Sequence, residues 1–183
     1  IETFIKLFKS RGYKEDDFNS LIKIVNSYKN NFIRERTLLF LSITKALFKK
    51  YQAILNERRD IDFNDMINLA TDAIESSKVI AEYSYIIIDE YQDVSVSQFN
   101  LIKALRDQTD AIVMAVGDDW QSIYRFAGSD INLFTDFERR LGFTKTQKLE
   151  KTYRNSQELI NVAGSFIMEN SKQIRKKLFS DKH

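Results

Sequence analysis

The residues of this chain best suited to chemistry fall in three clusters: Asp89-Glu90, Gly117-Asp118-Asp119-Trp120-Gln121, and Tyr153-Arg154. An adjacent Asp-Glu pair serves nucleotide hydrolysis when one carboxylate holds a magnesium shell and its neighbour orients or deprotonates the attacking water. On that reading Asp89 is the metal-side residue and Glu90 the base. Gln121, whose amide both donates and accepts, can sense a γ-phosphate or hold a water near Glu90. Arg154 has the fork geometry to stabilise charge building on a transferred phosphoryl group, and Tyr153 offers a flat face to a base. The plainer alternative for Asp89-Glu90 is that two acids end a strand and begin a turn.

The surrounding pattern says what must position these residues. Tyr85-Ile86-Ile87-Ile88 is too short for a helix and ends abruptly in charge, which predicts a fully buried parallel strand. Asp89 and Glu90 then sit at its carboxyl end, the sheet edge where open α/β folds bind ligands. Val96 to Leu105 predicts a helix with Phe99, Ile102 and Leu105 inward, and Ala111 to Val116 a second strand, completing a β-α-β crossover. Asn132 to Leu141 reads as one short helix before Gly142, Thr146 to Leu149 as a third strand, and Ser156 to Met168 as the last helix. The basic tail, residues 172–183, reads as frayed or truncated.

Residues 1–80 read as almost wholly helical. Ile1, Phe4, Ile5 and Phe8 form an apolar stripe that ends at Gly12. A second helix starts near Lys14 to Asp17 and carries Phe18, Leu21, Ile22 and Val25. A third, Phe32 to Asn56, repeats Leu39/Phe40, Ile43, Leu47, Tyr51 and Ile54/Leu55. A boundary falls at Arg58-Arg59-Asp60, and Asp62 caps a helix over Phe63 to Ile74, with Asp65 placed to suit its dipole. These stripes predict helix-on-helix core. Lys6, Lys9, Arg11, Lys14, Arg34 and Arg36 read as a solvated face that could also offer phosphate contacts.

Composition narrows the class. With 183 residues, 43% of them apolar, 14 Phe and 8 Tyr, the chain is globular and large enough to bury a core. A net charge of +2 gives no overall basicity, so any nucleic-acid surface must be local. The absence of Cys excludes a disulfide framework or thiolate metal site. No apolar run approaches the roughly 18 residues of a membrane span, so the expectation is a cytoplasmic protein that does not enter a membrane. No proline interrupts the long helices. Beginning at Ile1 without an initiator Met, the chain reads as a piece of a longer protein.

Three segments together are more specific than any alone. Asp89-Glu90-Tyr91-Gln92-Asp93, then Val116-Gly117-Asp118-Asp119-Trp120-Gln121-Ser122-Ile123-Tyr124-Arg125-Phe126-Ala127-Gly128, then Leu149-Glu150-Lys151-Thr152-Tyr153-Arg154 resemble consecutive motifs of the UvrD/Rep group of superfamily 1 DNA helicases, in the family's order. The Asp-Asp-Trp-Gln and Tyr-Arg-Phe wording looks most like the helicase IV branch. The resemblance implies an α/β fold: part of a RecA-like parallel-sheet motor domain of the P-loop NTPase type, with an N-terminal all-helical insertion. It implies 1–80 as that insertion, 81–152 as the later half of the first motor domain, and 153–183 as the opening of the second.

It also implies an ATP-dependent 3′-to-5′ DNA helicase acting on single-stranded DNA and junctions with duplex, working at the nucleoid if bacterial. Asp89 would serve Mg²⁺, Glu90 the attacking water, Gln121 the γ-phosphate and its coupling to DNA, Tyr153 the base of ATP, and Arg154 the γ-phosphate. Tyr124 and Phe126 would stack on DNA bases, each contact worth about 1–3 kcal/mol and tolerant of any sequence. Trp120 is unassigned. Two departures stand out. Ala127 replaces an Arg found in many relatives, and no G-x-x-x-x-G-K-[ST] phosphate loop occurs, the five glycines being scattered at 12, 117, 128, 142 and 164. The chain by itself is therefore expected to be inactive. Rival readings are a non-catalytic DNA-binding or protein-docking module, or an ATPase that strips proteins from DNA or serves a nuclease. The helicase reading demands that Asp89, Gln121 and Arg154 converge on one triphosphate-sized hollow.

Overall fold

The computed structural model describes residues 1–170 and 173–182. Four helices come first: α1 (Glu2–Lys9), α2 (Asp17–Asn26), α3 (Asn31–Arg58) and α4 (Phe63–Glu75). Each begins or ends on a local signal. Gly12, at φ 75°, lets Tyr13 N–H reach back to Phe8 O and stop α1. Asn30 caps α3 through its side chain, and Arg59 ends it in the left-handed region, with Asp60 N–H bonded to Leu55 O. The Asp62 carboxylate accepts from Asp65 N–H at 2.8 Å while Asp65 reaches back, so the residue expected only to suit the dipole closes a capping box.

The first core is aromatic. Phe8, Phe18 and Phe48 pack with ring centroids 4.4 to 5.7 Å apart, joined by Val25 and Leu41. On α3 the buried residues are Leu41, Thr44 and Phe48, whereas Leu39, Ile43, Leu47 and Ile54 remain exposed. The predicted stripe is thus not the packed one. This helix is apolar on two sides, and α1 and α2 cover only one of them.

Lys9 was expected on a solvated face, yet it is 2% exposed. Its ammonium meets Asp62 Oδ2 at 2.5 Å, Asp65 Oδ1 at 2.6 Å and Gln52 Oε1 at 3.2 Å, fastening α1 to the start of α4. Lys14 pairs with Asp72 and Lys6 with Glu2, so three of the cations considered for phosphate already hold carboxylates.

The second half is built on a parallel pair, β1 (Tyr85–Ile88) and β2 (Ile112–Ala115), joined by α5 (Val96–Thr109). Ser95 opens α5 with a second capping box. Ile88 and Ala115 turn into a core formed by Tyr91, Val94, Phe99 and Leu133. The strand is not fully buried as predicted: Ile87 is 71% exposed, and Tyr85, Ile112 and Met114 share its open face. Among the described residues one side of this sheet is covered and the other is not. Helix α4 lies along α5, and Gln108 Nε2 donates to Ile74 O and Val79 O across that seam.

Beyond β2 two expectations change. The single helix over 132–141 is two short ones, α6 (Ile131–Thr135) and α7 (Phe137–Leu141), broken at Asp136. Thr135 and Asp136 are poor helix formers, and the break lets Phe134 and Phe137 wrap the Tyr91 ring at 6.1 and 5.3 Å. Thr146 to Leu149 forms no strand. A lone parallel bridge joins Lys151 to Phe179 instead, because no described strand offers that segment a ladder. The last helix, α8 (Gln157–Ile167), starts on Ser156 as its pattern predicts. No described helix is long and apolar enough to cross a membrane.

The Lys9 cluster has a pH signature. Burial pushes the Asp62 carboxyl up, but hydrogen bonds from Lys9, the Asp65 N–H and Tyr51 outweigh it and hold the group below its ordinary value. A depressed carboxyl stabilises the fold above its unfolded pKa, about 3.9, and loses that contribution as pH falls through the folded value. Asp62→Asn keeps a good cap but removes the charge. It should cost about 1.5–3 kcal/mol at neutral pH and flatten the loss of stability below about pH 4, as read from urea midpoints against pH.

Candidate functional site

Because β1 and β2 run parallel in register, Ile88 opposite Ala115, their carboxyl ends emerge side by side. The ladder continues past them: Val116 N–H donates to Ile88 O at 2.8 Å and Tyr91 N–H to Val116 O at 2.9 Å. Between these bonds lie Asp89 and Glu90, both exposed. Asp89 Oδ1 accepts from Glu90 N–H at 2.9 Å. Glu90 takes φ 49° and ψ 41°, a left-handed conformation that costs a non-glycine residue on the order of 1–3 kcal/mol. That turn sends Tyr91 and Gln92 inward, and burial pushes the Tyr91 phenol up to about 12.

Gln92 is the residue that sequence reasoning missed. Only 2% exposed, it donates from Nε2 to Glu90 Oε2 at 2.8 Å and accepts at Oε1 from Asp118 N–H at 2.9 Å. Its amide thus ties the end of β1 to the loop after β2. Gly117 makes room for it, since a Cβ there would lie 2.6 Å from Gln92 Oε1 and 2.7 Å from Phe134 Cε2. The signal available in sequence was a lone uncharged amide between Tyr91 and Val94, in a segment that must turn inward.

Asp118 carries the path onward. Its Oδ2 accepts from Gln121 Nε2 at 2.8 Å, and its Oδ1 accepts from Trp120 N–H at 3.1 Å and pairs with Lys176. Burial pushes the Asp118 carboxyl up, but the bonds from Gln121 and Lys176 bring it below its ordinary value. Asp119 is buried, accepting from Lys176 Nζ at 3.0 Å and Ile174 N–H at 2.6 Å. Trp120 donates to Ile174 O at 3.2 Å, lies under the Lys176 ammonium at 4.8 Å, and packs on Gly164 of α8. Described tail residues are therefore docked, not frayed, while Lys172 and His183 lie outside the described residues. Ion pairing to two adjacent carboxylates overcomes the tail's own charge repulsion.

Farther along the same loop, Tyr124 and Phe126 are exposed neighbours with ring centroids 6.0 Å apart and planes at 48°. Gly128, at φ 108°, ends their turn against α1, where a Cβ would meet Ser10 Oγ at 2.5 Å. The turn that carries this aromatic pair thus ends against the helical half of the chain. Tyr153 is exposed, with the Lys151 ammonium 5.3 Å from its ring centre.

Arg154 is not brought to the others. Its backbone N–H donates to Thr152 Oγ1 at 3.4 Å, and among the described residues no contact joins its guanidinium to Asp89, Glu90 or Gln121. Among the described residues one surface hollow lies beside Lys14, Asn68 and Asp72, and another between Trp120, Gly164, Lys176 and Leu178. The two strand ends are thus joined through hydrogen bonds by way of Gln92 and Asp118, the third cluster is not, and neither hollow is lined by Asp89, Gln121 or Arg154.

As a magnesium site the strand end supplies one or two exposed carboxylates, and no described cluster of three metal-binding side chains exists. That donor set fits a cation which keeps several waters and takes its remaining ligands from phosphate oxygens. It does not suit an all-protein metal cage.

Parallel strands joined by a crossover helix, with carboxylates at their carboxyl ends, define an α/β protein of the kind that meets ligands at that edge. The comparison with known families is specific: the model of the UvrD/REP helicase N-terminal domain matches residues 1–142. Similar proteins include DNA helicase IV of Escherichia coli (strain K12), 35% identical over 141 residues, covering 76% of this chain and 21% of that protein. ATP-dependent DNA helicase PcrA of Leuconostoc citreum is 28% identical over 176 residues, covering 90% of this chain and 23% of its own length. ATP-dependent DNA helicase Rep of Buchnera aphidicola subsp. Acyrthosiphon pisum is 30% identical over 168 residues, covering 86% and 26%. The chain belongs to the UvrD/Rep helicase family, and it spans about a fifth to a quarter of the length of these relatives.

The crowding at Gly117 is testable. Gly117→Ala should lower stability by about 1–3 kcal/mol by displacing Gln92 and Phe134, measured as a lower urea midpoint with an unchanged slope.

Proposed function

We propose that this chain is a piece of an ATP-dependent DNA helicase or translocase that couples Mg-ATP hydrolysis to 3′-to-5′ movement on single-stranded DNA. The observation that carries the reading is the continuous path from Glu90 through Gln92 and Asp118 to Gln121, on the loop that also presents Tyr124 and Phe126. A motor needs such a link between its hydrolytic carboxylate and the surface that grips its track. The polarity, the preference for junctions with duplex and a cytoplasmic setting at the nucleoid rest on family likeness.

In this reading residues 1–80 are a helical insertion, 81–152 the later half of a RecA-like motor domain, and 153–183 the opening of a second. The phosphate loop absent from these 183 residues is supplied by another part of the same protein. Asp89 holds Mg²⁺, whose charge neutralises the phosphates. Glu90 orients the attacking water and takes its proton, while Gln121 contacts the γ-phosphate. Tyr153 stacks on the adenine. Arg154 reaches the γ-phosphate when the second domain closes on the first. Tyr124 and Phe126 stack on bases, and both side chains are exposed to meet them.

Two experiments on the full-length protein test the assignment. Glu90→Gln should retain ATP binding and lose kcat by a factor of about 10² or more, measured by steady-state turnover beside a nucleotide-binding assay. Tyr124→Ala and Phe126→Ala should each weaken single-strand binding by about 1–3 kcal/mol while nucleotide affinity holds. Equal loss of both affinities would mean that the aromatics serve folding.

A further inference from the structure

Gln92 is buried too completely to touch DNA or solvent, yet it spends both ends of its amide on groups of the candidate site. A buried amide needs partners, and backbone groups would satisfy it as well as a charged side chain. Here Nε2 reaches back two residues to an exposed carboxylate, Glu90 Oε2 at 2.8 Å. Oε1 reaches the Asp118 N–H, the residue after Gly117 in the loop that follows β2. The fit is tight, because even one methyl at position 117 would collide with Oε1. Ser122 Oγ, one residue past Gln121, donates to the Gln92 backbone carbonyl at 3.5 Å, so the same residue meets the loop a second time.

We propose that Gln92 is a positioning residue for hydrolysis, which holds Glu90 as the proton acceptor and makes its placement depend on the Asp118–Gln121 loop. This rests on the reading of Glu90 as the base. With one oxygen of Glu90 engaged by the amide, the other is left to face water. In the step served, the water oxygen bonds to the γ-phosphorus, its proton passes to Glu90, and the β–γ bridging bond breaks with its electron pair leaving on ADP. Any shift of the loop that carries Gln121 and Tyr124 moves Asp118 N–H, hence the Gln92 amide, hence the carboxylate. The link accounts for how DNA at Tyr124 and Phe126 would tune turnover without touching nucleotide.

The test compares Gln92→Met, which fills the space and removes both hydrogen bonds, with Gln92→Glu, which can still accept from Asp118 but replaces the donor to Glu90 with an acceptor. In the full-length protein each should leave KM for ATP within about threefold while kcat falls on the order of a hundredfold, the scale of a 1 Å misplacement. Gln92→Met should also lose stimulation of turnover by oligo-dT. Should one variant fail to fold by circular dichroism, the other decides. Glu90→Gln is run alongside. If it abolishes turnover while a folded Gln92 variant keeps kcat within twofold, or loses kcat only in step with a rise in KM, the positioning role is overturned and the base stands. If Glu90→Gln itself turns over normally, the base assignment falls, and the role given to Gln92 falls with it.

Discussion

Parallel pairing of two four-residue strands is the constraint from which the rest of the site follows. A parallel pair cannot be closed by a tight turn, so the chain must cross back over the sheet, which α5 does. That crossover brings both carboxyl ends to one edge, and the backbone ladder runs on through Val116 and Tyr91 to hold them there. Acids after the first strand and a glycine-acid loop after the second then have no choice but to be neighbours. The buried amide between them converts that proximity into a fixed geometry.

The helical half is fastened to this unit by polar groups as much as by its aromatic core. Lys9 joins α1 to the capping box of α4, and α4 lies along α5. Ser10 O accepts from Ser97 N–H at 2.9 Å, and its hydroxyl lies 2.5 Å from where a Cβ on Gly128 would fall. The end of α1 thus touches both the start of the crossover helix and the turn that carries Tyr124 and Phe126. The helical half and the turn that carries the aromatic pair are therefore in direct contact through Ser10.

Legibility in the sequence followed the strength of local signals. Helix starts at Asp62 and Ser156, the stop at Gly12 and the two strands all carry period or capping chemistry within a few residues, and each lies where that chemistry predicts. Position along the chain was readable; tertiary partnership was not. Lys9 looks like any lysine of a basic run, because its three partners lie more than 40 residues away. The face of α3 that packs cannot be told from its neighbour when both are apolar. The docking of the tail depends on Asp118 and Asp119, acids to which the sequence alone assigned no role. For the site, residue types and sheet edge were legible, whereas the bridge through Gln92 required knowing which side chain turns inward.

The left-handed backbone at Glu90 sets chemistry and conformational preference against each other at one position. Asn or Gly would relax that turn, and neither could serve as the proposed proton acceptor. A duplicated gene freed from turnover would therefore be expected to drift toward Asn or Gly there and become sturdier as it fell silent.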